Sequence, residues 1–149
     1  MEMPVFTIRG KNHRERGVDY GVQCKELIQG VLERYIRFFN GGHTAVSWDE
    51  AKVISKEFLP FIRSYSPELL DELEGIAQGA DVEFDDLLTL NSRSEAMTLV
   101  RRPPSDKEEL DGCSSVAVLP DASANGHTIL AQNWDTYTWQ EYGTVILQI

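Results

Sequence analysis

The stretch 101–110, RRPPSDKEEL, cuts the sequence into two textures, and a chain that changes its hydrophobic period across such a cut folds as neither all-α nor all-β. The stretch is charged and proline-bearing and has no apolar period, which predicts an exposed linker. Before it, apolar residues recur at helical spacing. After it, they come in short runs of strand length bounded by turn-forming residues. The expected class is α+β, a helical segment followed by antiparallel strands.

After a short apolar start (Val5, Phe6, Ile8), the spacing of Val18, Val22, Leu27, Val31, Tyr35 and Ile36 predicts a long amphipathic helix over about residues 17–39, closed by Gly41-Gly42. A second helix begins at Ser47, where Ser-Trp-Asp-Glu fits a capping box, and runs to about residue 63. In the third, Ser66 caps, Pro67 fills the first turn, and Leu69, Leu70, Leu73, Ile76 and Ala77 keep one face apolar as far as Gly79. A short helix follows over 84–90. Gly17, Tyr20 and Gly21 read as marks of tight packing, and Cys24 as a core residue. Beyond the linker, strands are expected at 114–119, 128–134 and 143–149, with a turn over 120–126.

The 149 residues include 24 acidic and 14 basic side chains, a formal charge of −10, which repels a phosphate backbone and argues against nucleic acid as a partner. The three histidines, His13, His43 and His127, lie far apart and the two cysteines form no CxxC pair, so neither a metal nor another cofactor is expected. No run of eighteen apolar residues and no signal-peptide pattern occurs, which predicts a soluble, cytoplasmic chain without a membrane partner, or a peroxisomal one if a C-terminal signal follows. The sequence stops on VILQI, a strand-like run with neither turn nor polar tail after it. That ending reads as a truncation.

Reactive chemistry is concentrated at Gly112-Cys113, where the linker meets the first strand. Glycine leaves its carbonyl unshielded and tolerates a strained backbone, so the next residue's thiol can attack it and form a thioester. Water then releases a chain that begins with cysteine. The freed α-amine, with an ordinary pKa of about 7.7–8.0, can take the proton from its own thiol, which places nucleophile and base on one residue. The competing reading is a small residue buried at a strand start, since free cysteine is among the most buried residue types.

Asp111-Gly112-Cys113-Ser114-Ser115, followed by Ala131-Gln132-Asn133-Trp134-Asp135, resembles the paired signature of the isopenicillin N acyltransferase-like family of autoproteolytic N-terminal-nucleophile (Ntn) hydrolases. Arg16-Gly17-Val18-Asp19-Tyr20-Gly21 and Leu90-Asn91-Ser92-Arg93-Ser94-Glu95 are similar to two further stretches of its pattern. The resemblance implies residues 1–112 as a helical pro-segment. Residues 113–149 would open the catalytic subunit, the first strands of an αββα sandwich. It implies Cys113 both as the residue that cuts Gly112–Cys113 and as the later nucleophile. Asp135 matches an aspartate near the nucleophile, where a carboxylate would hold the new ammonium or orient the amine; the alternative is a strand-end turn acid.

The supporting assignments are looser. Asn133 would donate to the carbonyl under attack or pin a loop, and Trp134 reads as core or pocket wall. Ser115, like Ser114, would assist the acyl shift or be an ordinary strand serine. Arg93 and Glu95, spaced i, i+2, would project to one side of an extended segment and buttress a loop. Thr136 stands where the best-known members often carry an aromatic residue. The implied substrate is an acyl amide or an acyl thioester, acyl-CoA among them, and the implied partner is the chain's own cleaved subunit. The reading from a different class is an acidic helical interaction module in which Cys113 is inert.

Overall fold

The computed structural model describes residues 3–99 and 113–149, so the linker 101–110 and Gly112 lie outside the described residues. The chain is mixed helix and strand. It divides into two compact units, one built from residues 3–99 together with 141–149, the other from 113–140.

In the helical unit, strand β1 (Val5–Thr7) leads into α1 (His13–Gln23), whose N-cap Asn12 accepts from the Glu15 amide while Glu15 returns a carboxylate to the Lys11 amide. The predicted long helix is two, because the chain kinks at Cys24 before α2 (Lys25–Phe38). Hydrogen bonds from Cys24 to Tyr20 and from Ile28 to Cys24 span the kink. The buried line runs Gly17, Gly21, Cys24, Ile28, Leu32, Tyr35, while Val22 of the expected stripe points to solvent. The stop comes where glycine placed it: a π-helical turn, Phe39–His43, ends with Gly42 at φ 80°.

Ser47 forms the expected capping box with Glu50 at the start of α3 (Trp48–Lys56). The second helix also divides, into α3 and α4 (Leu59–Tyr65), because Pro60 can open a helix but cannot continue one. Helix α5 (Pro67–Ala80) begins at Pro67 as expected, although the Ser66 hydroxyl donates to Glu68 instead of capping the backbone. It ends at Asp81, in the left-handed region at φ 56°. Then follow α6 (Phe84–Asn91) and α7 (Arg93–Leu99). Helix α7 replaces the extended segment expected around Arg93 and Glu95.

Helix α1 packs chiefly on α5, and the contact is backbone against backbone. A Cβ on Gly17 would sit 2.1 Å from the Glu72 carbonyl oxygen, and one on Gly79 would sit 2.3 Å from that of Val18. Gly21 and Gly75 are equally enclosed. The tight packing expected of Gly17 and Gly21 is thus met by a matching pair on the facing helix. Beside it, Cys24, Ile28, Ala77, Ala80 and Leu87 form a core flanked by Phe6, Tyr20, Leu73 and Ile76. Helices α3 and α6 are joined by Trp48 Nε1–H donating to Asp86 at 2.8 Å and by the Lys56–Asp85 ion pair at 2.7 Å.

Strands β2 (Ser114–Val118) and β3 (Ile129–Asn133) form the expected antiparallel hairpin of the second unit. The third expected strand shortens to β4 (Ile146–Gln148). It pairs in parallel with β1 inside the helical unit, not with the hairpin. Among the described residues, no helix is long and apolar enough to cross a membrane.

Candidate active site

The hairpin register brings two of the candidate residues to one end. Ser114 pairs with Asn133 as the terminal rung, so Cys113 stands one residue before it and Asp135 two residues after it. Pro120–Ala122 forms a 3₁₀ turn, and Gly126 takes φ 69°, which together carry the chain from β2 back into β3. Cys113 is exposed, which overturns the buried-residue reading of this cysteine. The Asn133 side-chain amide donates to Asp135 Oδ1 at 2.7 Å and so orients the carboxylate. Alternation along β2 puts Ser115 on the same side of the strand as Cys113, and Ser114 on the side of Asn133. Trp134 is 54% exposed, which rules out the core half of its reading as core or pocket wall.

What this end can do chemically follows from access. A thiol at the mouth of a ladder meets water and electrophiles freely. Cys24 is the opposite case: it is buried, and burial pushes its thiol pKa up, keeping it protonated and inert. Burial, reinforced by Cys24, also raises the Tyr20 phenol. Among the described residues, no group of three or more His, Cys, Asp or Glu side chains is placed to hold a metal ion.

Arg93 and Glu95 belong to the helical unit and do not act as a pair. On α7 an i, i+2 spacing points them to different sides, and no ion pair joins them. The Arg93 guanidinium donates to the Leu90 carbonyl at 2.7 Å and lies 4.9 Å from the centre of the Tyr35 ring, bracing the α6–α7 corner. At the same corner, Ser92 donates its buried hydroxyl to Ser55 at 2.8 Å. Glu95 instead borders an open groove of about 490 Å³, walled by Phe58, Ile62, Leu73 and Ile76.

Sequence reasoning missed a slot on α2, where Tyr142 rests on Gly30 beneath Arg34. Its one local signal is a glycine inside an otherwise strong helix, four residues before an arginine.

No family model matches the chain. Curated relatives do. The β-alanyl-dopamine/carcinine hydrolase of Drosophila melanogaster is 28% identical over 123 residues, covering 78% of this chain and 30% of the relative. The 40 kDa form of acyl-coenzyme A:6-aminopenicillanic-acid-acyltransferase of Emericella nidulans is 29% identical over 136 residues, 88% of this chain and 35% of the relative. The chain therefore spans about a third of the length of the curated relatives it matches. At this modest identity, the two matches support a link between the chain and the isopenicillin N acyltransferase-like family of Ntn hydrolases that its motifs resemble.

Proposed function

We propose that this chain carries the self-cleaving centre of a cysteine Ntn amidohydrolase or acyltransferase, with residues 1–112 as pro-segment and residues 113–149 opening the catalytic αββα sandwich. The single observation that carries the reading is the exposed Cys113 at the end of the β2–β3 ladder, with the Asn133-oriented Asp135 at the same end. The likeness to a hydrolase and an acyltransferase supports the same reaction class.

Processing begins when Cys113 Sγ attacks the Gly112 carbonyl carbon. The Gly112–Cys113 C–N bond breaks, the thiol proton passes to the departing amine, and Gly112 is left as a thioester on Sγ. Water hydrolyses that thioester, giving a Gly112 carboxylate and regenerating the thiol beside a new α-amine. In turnover the amine takes the Cys113 proton, Sγ attacks an acyl amide or acyl thioester, and the leaving amine or thiol departs protonated. The acyl group then passes from Sγ to water or to an acceptor amine. Asp135 holds the Cys113 ammonium, and Asn133 fixes the carboxylate. Ser115 stands beside the acyl shift, while Arg93 is a positioning residue that braces the pro-segment.

Mass spectrometry of the full-length product tests the reading. Two pieces are expected, the second starting at Cys113; Cys113→Ala should leave one uncut chain, and Cys113→Ser should cut slowly or not at all, since a hydroxyl is the poorer nucleophile. Cleavage before residue 113 in the alanine variant would assign the cut to another protease and remove the mechanism.

A further inference from the structure

Glu95 has no part in the proposed centre, and its surroundings give it another. It stands exposed on α7 at the border of the helical unit's groove, and it makes no ion pair among the described residues. At about 490 Å³ the groove is of the size that holds a small molecule. Its walls are apolar: Phe58 and Ile62 of α4, Leu73 and Ile76 of α5, and Leu88 of α6. A smaller hollow of about 280 Å³ shares Phe58 and Glu95 with it, so the ring and the carboxylate stand between the two.

The polar groups of the groove have one chemical character. Asn91 Nδ2 is turned back to donate to the Leu87 carbonyl at 3.0 Å, which turns Oδ1 the other way. Ser92 spends its single hydroxyl proton on Ser55 Oγ at 2.8 Å and the Leu88 carbonyl at 2.9 Å. Glu72 and Glu95 only accept, and no lysine, arginine or histidine among the described residues lines the groove. Glu72 Oε2 is already engaged with His13 and Arg16 of α1, so Glu95 is the carboxylate left to pair.

We propose that this groove binds a hydrophobic amine, with its ammonium on Glu95 and its apolar body between α4 and α5. An ammonium carries positive charge and only donates, which complements a lining that accepts. A carboxylate or phosphate on the same apolar body meets Glu95 and Glu72 as like charges and is rejected. The site lies wholly within residues 58–95 of the helical unit and does not rest on the proposed cleavage.

The test is calorimetric titration of the full-length Cys113→Ala chain, which cannot cut itself by the proposed route. The probes are n-octylammonium chloride and octanoate, which share an apolar body and differ in charge. Octylammonium should bind at one site, and octanoate at least about tenfold more weakly. Glu95→Gln should weaken octylammonium about tenfold by removing a charge-assisted hydrogen bond, and Glu95→Lys, which brings an ammonium of its own, should abolish binding. Ile62→Trp should weaken it about tenfold or more by filling the groove. Because Glu95 is exposed, its variants should melt as the parent does by circular dichroism. Should Ile62→Trp melt early, ethylammonium decides the same point: with most of the apolar body gone, it should bind on the order of a hundredfold more weakly than octylammonium. The proposal is overturned if octylammonium does not bind, if octanoate binds equally, if Glu95→Lys changes nothing, or if ethylammonium matches octylammonium. A dimer in sedimentation velocity that Ile62→Trp dissociates would seat a second copy in the groove and overturn it as well. Self-cleavage is read separately, from intact mass, so either proposal can fail without the other.

Discussion

In the helical unit, Cys24 lies at 2% exposure among Ile28, Ala77, Ala80 and Leu87; in the hairpin unit, Cys113 stands in solvent, on a ladder whose Val116 and Leu130 are 56% and 76% exposed. One region buries its small residues by bringing backbones into contact. Among its described residues the other has a two-stranded sheet whose apolar side chains stand exposed. The same residue type is therefore structural in the first and available for chemistry in the second. What separates the two thiols is their access to solvent, set by their positions in the architecture.

The comparison breaks most forcefully at the α1–α5 contact. Gly21→Leu or Gly79→Leu should cost more than about 4 kcal/mol and abolish the cooperative melting of the helical signal, because each side chain would drive into a facing main chain. A melting curve by circular dichroism that barely moved would show that the helices can separate without loss. The hairpin lies in the other unit, so the same variants should leave Cys113 open to alkylation.

Asp135→Asn should reduce self-cleavage or turnover on the order of 10²-fold while the melting temperature holds, since the amide keeps the shape and can still accept from Asn133. A fallen melting temperature with normal rates per folded molecule would make Asp135 a scaffold residue. Thiol alkylation sharpens the contrast directly. Below about pH 8, Cys113 should label on the order of a hundredfold faster than Cys24, whose reaction waits for the helical unit to open. The folded pKa of Cys24 is raised, so its protonated form contributes stability below the unfolded pKa and that contribution is lost as pH rises through the folded value. Cys24→Ala should remove this alkaline loss and leave the labelling of Cys113 as it was.

The smallest effect belongs to the α3 cap. Ser47 holds the Glu50 carboxyl below its usual range through backbone and side-chain hydrogen bonds. The cap therefore contributes above the unfolded pKa of Glu50 and weakens as pH falls through the lower folded value. Glu50→Gln should flatten the acid limb of the melting profile slightly, with no change near neutrality. An unchanged acid limb would show that the carboxylate adds nothing to the Ser47 cap.

Where the fold depends on chemistry local to a few residues, it was legible. The Ser47–Glu50 box, the Pro67 start, the Gly42 stop and the two strands of the hairpin each follow from side chains within a turn of one another. Apolar period misplaced the buried line of α1, because Gly17 and Gly21 have almost no hydropathy and are core only through the helix they face. It also ran α3 through Pro60, although the proline itself marked the break. The parallel pairing of β1 with β4 joins opposite ends of the chain, and no local pattern carries it.

Of the candidate site, the hairpin that carries it follows from reading two strands and one turn, whereas the nearness of Asp135 to Cys113 is implied by the family resemblance alone. The i, i+2 spacing of Arg93 and Glu95 puts them on a shared side only in an extended segment. On a helix the same spacing separates them, and Tyr35, distant in sequence, takes the guanidinium.

The glycine contact between α1 and α5 has a consequence for what it costs to form. Main-chain atoms that meet without intervening side chains freeze no rotamers, so the contact gives up less motion on assembly than an equal area of leucine against leucine. It also carries no titratable group, and the ion pairs of the two helices stand at its rim, where His13 and Arg16 meet Glu72 and Arg14 meets Glu74. Added salt should therefore weaken that rim while the axis of the pair stays locked, leaving helices that keep their spacing after their ion pairs have been screened.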